Sequence, residues 1–305
     1  MRALIVFMGS PEFAVPSLRL LASGPYPVVG VVTQPDRPAG RGRALSPPPV
    51  KSLALELGLP VIQPERLNDP AAMAQLQDWN PDLIVVAAYG QILRRAVLDL
   101  PQWGCLNVHA SLLPRWRGAA PIQAAILDGD AQAGVTIMRM DTGVDTGPLL
   151  SQRLTPIHPD ETAGSLGARL AELGAGLLLD TLPGYLNGEI QPRPQDDSQV
   201  TYAPMLRKED GRLDFNQPAE YLSRRVRAFN PWPGAFTTWR GQPLKILRAH
   251  AVKAGPMPAG RRTSLDDLPA ISANPRLLVL DEVQPAGKRA MPGDVFLRGA
   301  RDWHD

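Results

Sequence analysis

Near the end of the stretch GCLNVHA (residues 104–110), an amide, Asn107, and an imidazole, His109, stand two residues apart. Downstream, MDTGVDTGP (140–148) is a Gly-rich turn that carries Asp141 and Asp145. An amide, an imidazole and a carboxylate brought together have a chemical logic. A neutral imidazole takes a proton from an attacking amine near neutral pH. An Asn NH2 donates to the oxyanion of a tetrahedral intermediate. A carboxylate orients and stabilises the imidazolium, or passes a proton through a water. When the substrate brings its own amine, no Ser or Cys nucleophile is needed. The set therefore suits direct acyl transfer better than hydrolysis through a covalent enzyme. Taken singly, each residue also has a plain structural role: a strand-end cap for Asn107, a satisfied buried ring for His109, an Asx-turn for either aspartate. Cys105, on the same face of the same apolar run, reads as a buried and inert thiol.

These side chains need a scaffold that brings strand ends together. Short apolar runs recur through the first 150 residues: ALIVFMG (3–9), VVGVVT (28–33), DLIVVAAY (82–89), GCLNVHA (104–110) and GVTIMRM (134–140). Helical stretches separate them, including PEFAVPSLRLLAS (11–23), which Ser10 would cap, and PIQAAILDG (121–129), which Gly129 closes. Continuous apolar strands covered by helices on both faces indicate a doubly wound, Rossmann-like α/β domain with a mostly parallel sheet. In such a sheet, ligands bind outside the carboxyl ends of the strands, where Asn107 and His109 are placed. The spacing predicts that the turn 140–148 reaches them if its strand end is a neighbour. The first turn, Gly9-Ser10-Pro11, lacks the G-x-G-x-x-G spacing, which excludes a nicotinamide cofactor.

Residues 190–205 are polar and broken by Pro, and read as a linker or wrapping arm between a domain over 1–189 and another over 206–305. The second domain opens with a helix, LSRRVRAFNP (222–231), followed by short strands separated by turns, the pattern of a small OB-like β-barrel. Residues 254–275, rich in Pro, Ala and Gly without a period, are expected to be poorly ordered.

The chain of 305 residues is 44% hydrophobic and 20% charged, enough to bury a real core. No apolar run approaches a membrane span, and the N-terminal run reads as a core strand rather than a signal peptide. The one cysteine fits a cytoplasmic setting. The four His are scattered in no ligand spacing, so no metal is expected. Charge is uneven: residues 206–305 hold 17 Lys and Arg against 11 Asp and Glu, a balance of +6, and the rest of the chain balances at −4. That distribution suits a polyanionic partner, and also the Arg excess of a GC-rich genome. The loop TQPDRPAGRGRALSPPPVK (33–51), with five Pro and three Arg, is too polar for a core; Arg37, Arg41, Arg43 and Lys51 could meet phosphates there.

NVHASLLPRWRGAAPIQ (107–123) and GVTIMRMDTGVDTGPLL (134–150) resemble the folate-dependent formyltransferases, of the kind that acts on methionyl-tRNA. The blocks TQPDRPAGRGRALSPPPVK, VAAYGQILRRAVLDLP, RAFNPWPGAFT and EVQPAGKRAM follow in that family's order, so nearly the whole chain is covered, with 254–275 the exception. The resemblance implies 10-formyltetrahydrofolate as formyl donor and the amino group of methionyl-initiator tRNA as acceptor, with formation of N-formylmethionyl-tRNA for translation initiation. It implies a catalytic trio of Asn107, His109 and Asp145. It also implies a folate-contacting segment at Ser111, Leu112, Leu113 and Pro114, and a pterin-shaping loop at Ala87, Ala88, Tyr89, Gly90, Gln91, Ile92 and Leu93. Arg41 falls on the inserted loop that meets the acceptor stem, and Lys245, Lys288 and Arg289 would meet tRNA phosphates. A cytoplasmic monomer with no membrane partner is expected. Relatives acting on glycinamide ribonucleotide or an amino-sugar nucleotide should share the trio, so the inserted loop and the basic C-terminal third are what favour tRNA. A formate-releasing hydrolase would lack tRNA affinity, and a noncatalytic RNA binder would have no use for the trio.

Overall fold

The structure is a computed structural model that describes residues 3–39 and 44–304. They fall into two compact units. The first takes in the described residues of Met1–Pro121, Gln132–Pro156 and Gly167–Tyr202, and the second those of Ile122–Ala131, Ile157–Leu166 and Ala203–Asp305.

The first unit is built on seven strands: β1 (Ile5–Gly9), β2 (Val28–Val32), β3 (Val61–Ile62), β4 (Leu83–Ala87), β5 (Cys105–His109), β6 (Gln132–Arg139) and β7 (Leu149–Pro156). Their order in the sheet is β7-β6-β5-β4-β1-β2-β3. β1 to β5 are parallel, and β6 and β7 are antiparallel additions at one edge. Every residue of β1 and β4 is buried, which is why both read as unbroken apolar runs. The chain winds from β1 out to β3 and returns to the other side at β4, so strand order reverses between β1 and β4. A crevice is expected outside the carboxyl ends at such a reversal.

Alternation along β5 sorts its side chains. Val108 faces α1 (Ala163–Leu186), the long helix behind the sheet, where a Cβ on Gly174 would stand 2.8 Å from Val108 and 3.1 Å from Val135. Glycine thus lets helix and sheet approach closely, and Asn107 and His109 are turned to the opposite face.

Two sequence expectations are corrected here. Ser10 does not cap a helix: the helical segment begins as a short 3-10 turn at Glu12–Ala14 and becomes α-helical only over Val15–Ser23, because Pro16 is tolerated only in the first turn. The Ser10 hydroxyl instead accepts from the Gln34 N–H at 3.1 Å.

The second unit carries an antiparallel sheet of β8 (Ala235–Trp239), β9 (Gln242–Val252), β10 (Arg262–Leu265), β11 (Leu268–Ser272), β12 (Leu277–Pro285) and β13 (Met291–Pro292). The order is β8-β9-β12-β11-β10, with β13 paired to β12. Its core includes Leu222 and Val226 of the helix Ala219–Ala228 together with Leu244, Ile246, Leu280, Phe296 and Trp303. The segment 254–275 is the second correction: it forms the hairpin β10–β11, turning at Asp266 and Asp267, which both adopt positive φ. Ala270 and Ile271 are buried there, and that burial repays the ordering which the Pro- and Gly-rich composition disfavours.

Candidate active site

β5 ends at His109, and parallel pairing sets Asn107 beside Val86 of β4. The imidazole is buried, and its Nε2 lies 3.1 Å from the Trp116 carbonyl oxygen. A carbonyl only accepts, so Nε2 carries a hydrogen, and in the neutral ring the lone pair is then on Nδ1. That Nδ1 faces Asp145 Oδ1 at 3.6 Å. Asp145 Oδ1 also accepts from Asn107 Nδ2 at 3.5 Å, and Oδ2 accepts from the Gly118 N–H at 2.9 Å. Amide, imidazole and carboxylate therefore do converge, with the Asp145 side chain only 15% exposed.

They converge by a different route from the one strand order suggested. β6 runs antiparallel to β5, Leu106 pairing with Arg139, so the turn 140–148 starts beside the beginning of β5 and not its end. The turn then doubles back. The Arg139 N–H donates to Pro148 O at 2.9 Å, Asp145 adopts φ +53°, and a Cβ on Gly147 would overlap the Arg139 carbonyl oxygen. Asp141 stays out of the centre, its carboxylate spent on the Gly143 N–H and the Thr146 hydroxyl.

The segment 111–114 lies over the same face. The Ser111 hydroxyl donates to Arg115 O at 2.6 Å and closes the turn, while the Leu113 N–H donates to Thr136 Oγ1 at 3.1 Å. Leu112 covers Gly134, and Leu113 is buried. The loop after β4 leaves the sheet at the β1–β4 reversal, next to the end of β5. Ala88 and Gly90 both have positive φ and are exposed, and Ile92 is 79% exposed. The Ala87, Tyr89 and Leu93 side chains are buried; those of Tyr89 and Leu93 pack in the core, where burial pushes the Tyr89 hydroxyl above its ordinary range. The Gln91 amide is spent on Leu67 N, Pro64 O and Glu65 O. Cys105 is buried, and desolvation pushes its thiol up to about 12.

Among the basic residues singled out by sequence, Lys51 is paired with Asp36 at 2.7 Å, and Arg37 is exposed at 3.9 Å from Glu65. Arg41 and Arg43 lie outside the described residues. Lys245, Lys288 and Arg289 are exposed on the second unit; Lys245 pairs with Gln284, whose amide donates to Lys288 O, so the three share one end of that sheet. Among the described residues no group of three His, Cys, Asp or Glu could hold a metal ion, and no helix is long and apolar enough to cross a membrane.

Sequence reasoning missed a second tier around Asp145. The buried Arg117, together with Gln195, Asp197 and Thr201 from the segment read as a linker, ties the turn 145–147 and the stretch 116–118 together. A polar, Pro-flanked stretch such as 190–201 carries no pattern that would reveal this.

The formyl transferase family matches residues 1–182, and its C-terminal domain matches residues 205–301. The chain is 52% identical to the methionyl-tRNA formyltransferase of Roseiflexus castenholzii over 300 residues, 97% of this chain and 96% of that protein. The methionyl-tRNA formyltransferase of Clostridium thermocellum shares the fold with a TM-score of 0.59 at 14% identity, over 93% of this chain and 98% of the other. An N-formyltransferase from Helicobacter canadensis, in complex with folinic acid and dTDP-3-aminofucose, does so with a TM-score of 0.67 at 17% identity, over 93% of this chain and all of the other.

Proposed function

Because the chain belongs to the formyl transferase family, we propose that it is a methionyl-tRNA formyltransferase, an enzyme that moves the formyl group of 10-formyltetrahydrofolate to the amino group of methionyl-initiator tRNA. The observation that carries the chemistry is the convergence of Asn107, His109 and Asp145 at the carboxyl end of the parallel strands. The 52% identity across nearly the whole chain carries the acceptor.

The donor supplies a formyl carbon bonded to a folate nitrogen; the chain supplies everything that makes that carbon reactive. Asn107 Nδ2 donates to the formyl oxygen as it takes on negative charge during attack by the neutral amine. The proton released by the amine goes to His109 Nδ1, which carries the lone pair of the neutral ring. Asp145, 3.6 Å away, stabilises the imidazolium so formed. The same proton is available to the folate nitrogen when its bond to carbon breaks, so His109 ends each turnover neutral. Ala88–Gly90 and Ser111–Pro114 bound the donor site.

Residues 1–189 act as the catalytic domain, 190–205 as the connection, whose residues 195–201 also serve the site, and 206–305 as the OB-like tRNA-binding domain, where Lys245, Lys288 and Arg289 contact phosphates. Arg37, Arg41 and Arg43 of the inserted loop and Lys51, in the helix Pro49–Glu56, contact phosphates in turn. One chain supplies the whole trio, consistent with a monomer, and the single buried cysteine suits the cytoplasm. Single-turnover transfer of labelled formyl from 10-formyltetrahydrofolate to methionyl-initiator tRNA tests this reading. Label on the aminoacyl-tRNA that disappears in His109→Ala supports it, and formate release without transfer overturns it.

A further inference from the structure

We infer that Gln195 is a positioning residue for Asp145, held in place by Arg117, so that a tier outside the trio sets the catalytic carboxylate. The inference rests on the reading of the trio given above.

The Gln195 side chain has its full hydrogen-bonding capacity in use. Its Nε2 donates to the backbone carbonyls of Asp145 at 2.8 Å and of Gly147 at 2.7 Å. Its Oε1 accepts from Arg117 Nε at 3.0 Å and Nη2 at 2.9 Å. Arg117 Nη2 reaches on to Asp197 Oδ1 at 2.8 Å. Because Arg117 accepts from nothing, the amide can sit only one way round, with its NH2 toward the turn. The guanidinium is 5% exposed, and its charge holds it on Gln195 and Asp197. The two carbonyls bracket a turn that needs help: Asp145 has positive φ, a conformation that side chains other than glycine adopt at a cost.

The same three residues, 116–118, serve the trio from both sides. Trp116 O fixes the His109 tautomer, the Gly118 N–H fixes Asp145 Oδ2, and Arg117 between them fixes Gln195. The Trp116 N–H is in turn held by Thr201 Oγ1 at 2.9 Å. Residues 195–201 thereby strap the imidazole and the carboxylate into one register. Displacement of a reacting group by about 1 Å costs roughly 100-fold in rate.

The test is a double-mutant cycle on the full-length protein, read as single-turnover formyl transfer. Gln195→Met keeps the length and removes all four hydrogen bonds. We expect kcat to fall by roughly 10- to 100-fold, with KM for the folate within about threefold of wild type. In the Asp145→Ala background the same substitution should change the residual rate by less than about twofold, since the group it positions is gone. Gln195→Glu, which still accepts from Arg117 but offers no donor to the two carbonyls, should show the same pattern and covers the case in which Gln195→Met is unfolded. Equal loss in both backgrounds would mean a merely structural role and overturn the inference, as would wild-type kcat in either variant. Transfer by the wild-type enzyme in the same series separates these outcomes from failure of the functional reading itself.

Discussion

Asp145→Asn removes one negative charge at constant shape and turns the atom facing Asn107 and His109 from an acceptor into a donor. The new side chain has the same shape, and its oxygen can still accept from the Gly118 N–H now bound at 2.9 Å. Its NH2 then faces Asn107 Nδ2 and His109 Nδ1, where a carboxylate oxygen stands now. At 3.6 Å, a unit charge and an imidazolium attract by about 4–5 kcal/mol at an effective dielectric constant of about 20. At 1.36 kcal/mol per factor of ten, that sets a ceiling of roughly 10³ in rate. The carboxylate is 15% exposed and partly screened by water, so the expected loss in kcat is about 10²- to 10³-fold. KM for the folate should stay within about threefold, and the melting temperature within a few degrees. The assay is formyl transfer at saturating donor and acceptor, with donor binding measured separately. A kcat within threefold of wild type would refute the role of the charge. Collapse of donor binding with kcat intact would refute it equally, by making Asp145 a binding group.

Gly147→Ala should cost about 100-fold in kcat, because its Cβ would overlap the Arg139 carbonyl oxygen and push aside the turn that carries Asp145; single-turnover rates check this. Cys105, whose thiol is pushed up to about 12 mainly by burial, should resist iodoacetamide at pH 8 until the protein is unfolded, as mass spectrometry would report. The Asp36 carboxyl is held below the ordinary carboxylate range by the Gln63 amide and then by Lys51. A lowered folded value means that this stabilisation is full above the unfolded value near 4 and is lost as pH falls through the folded one. The melting temperature should therefore fall as pH drops below about 4, and Asp36→Asn should flatten part of that slope. Replacing Lys245, Lys288 and Arg289 together by Ala should raise KM for tRNA, leave KM for the folate unchanged and reduce the salt slope of tRNA binding by about 2–3.

Elements whose burial is complete were legible in the sequence. β1 and β4 read as strands because every side chain is buried, and Asn107 and His109 could be assigned to one face from alternation alone. The trio was legible as residue types, but the reason for its convergence was not. Strand direction leaves no mark on an apolar run, so nothing in GVTIMRM says that β6 runs against β5, and it is the folded-back turn at Asp145 and Gly147 that closes the distance. Ser10 looked like a cap because Ser-Pro commonly is one, yet Pro16 moved the helix start. The hairpin β10–β11 was hidden because its stability comes from neighbours that bury Ala270 and Ile271, a tertiary effect that composition does not record. The partners of Arg117 could not be assigned from sequence, because they lie some eighty residues away in a stretch with no periodicity, and with them the side chain is 5% exposed.

The most direct test of the central claim is a comparison of acceptors at a fixed concentration of 10-formyltetrahydrofolate: methionyl-initiator tRNA, methionyl-elongator tRNA, glycinamide ribonucleotide and an amino-sugar nucleotide. Rapid formylation of the methionyl-initiator tRNA, abolished by His109→Ala, is expected, with neither small amine formylated. Formylation of either small amine with neither tRNA modified would contradict the claim, leaving the trio in place and removing tRNA from the function.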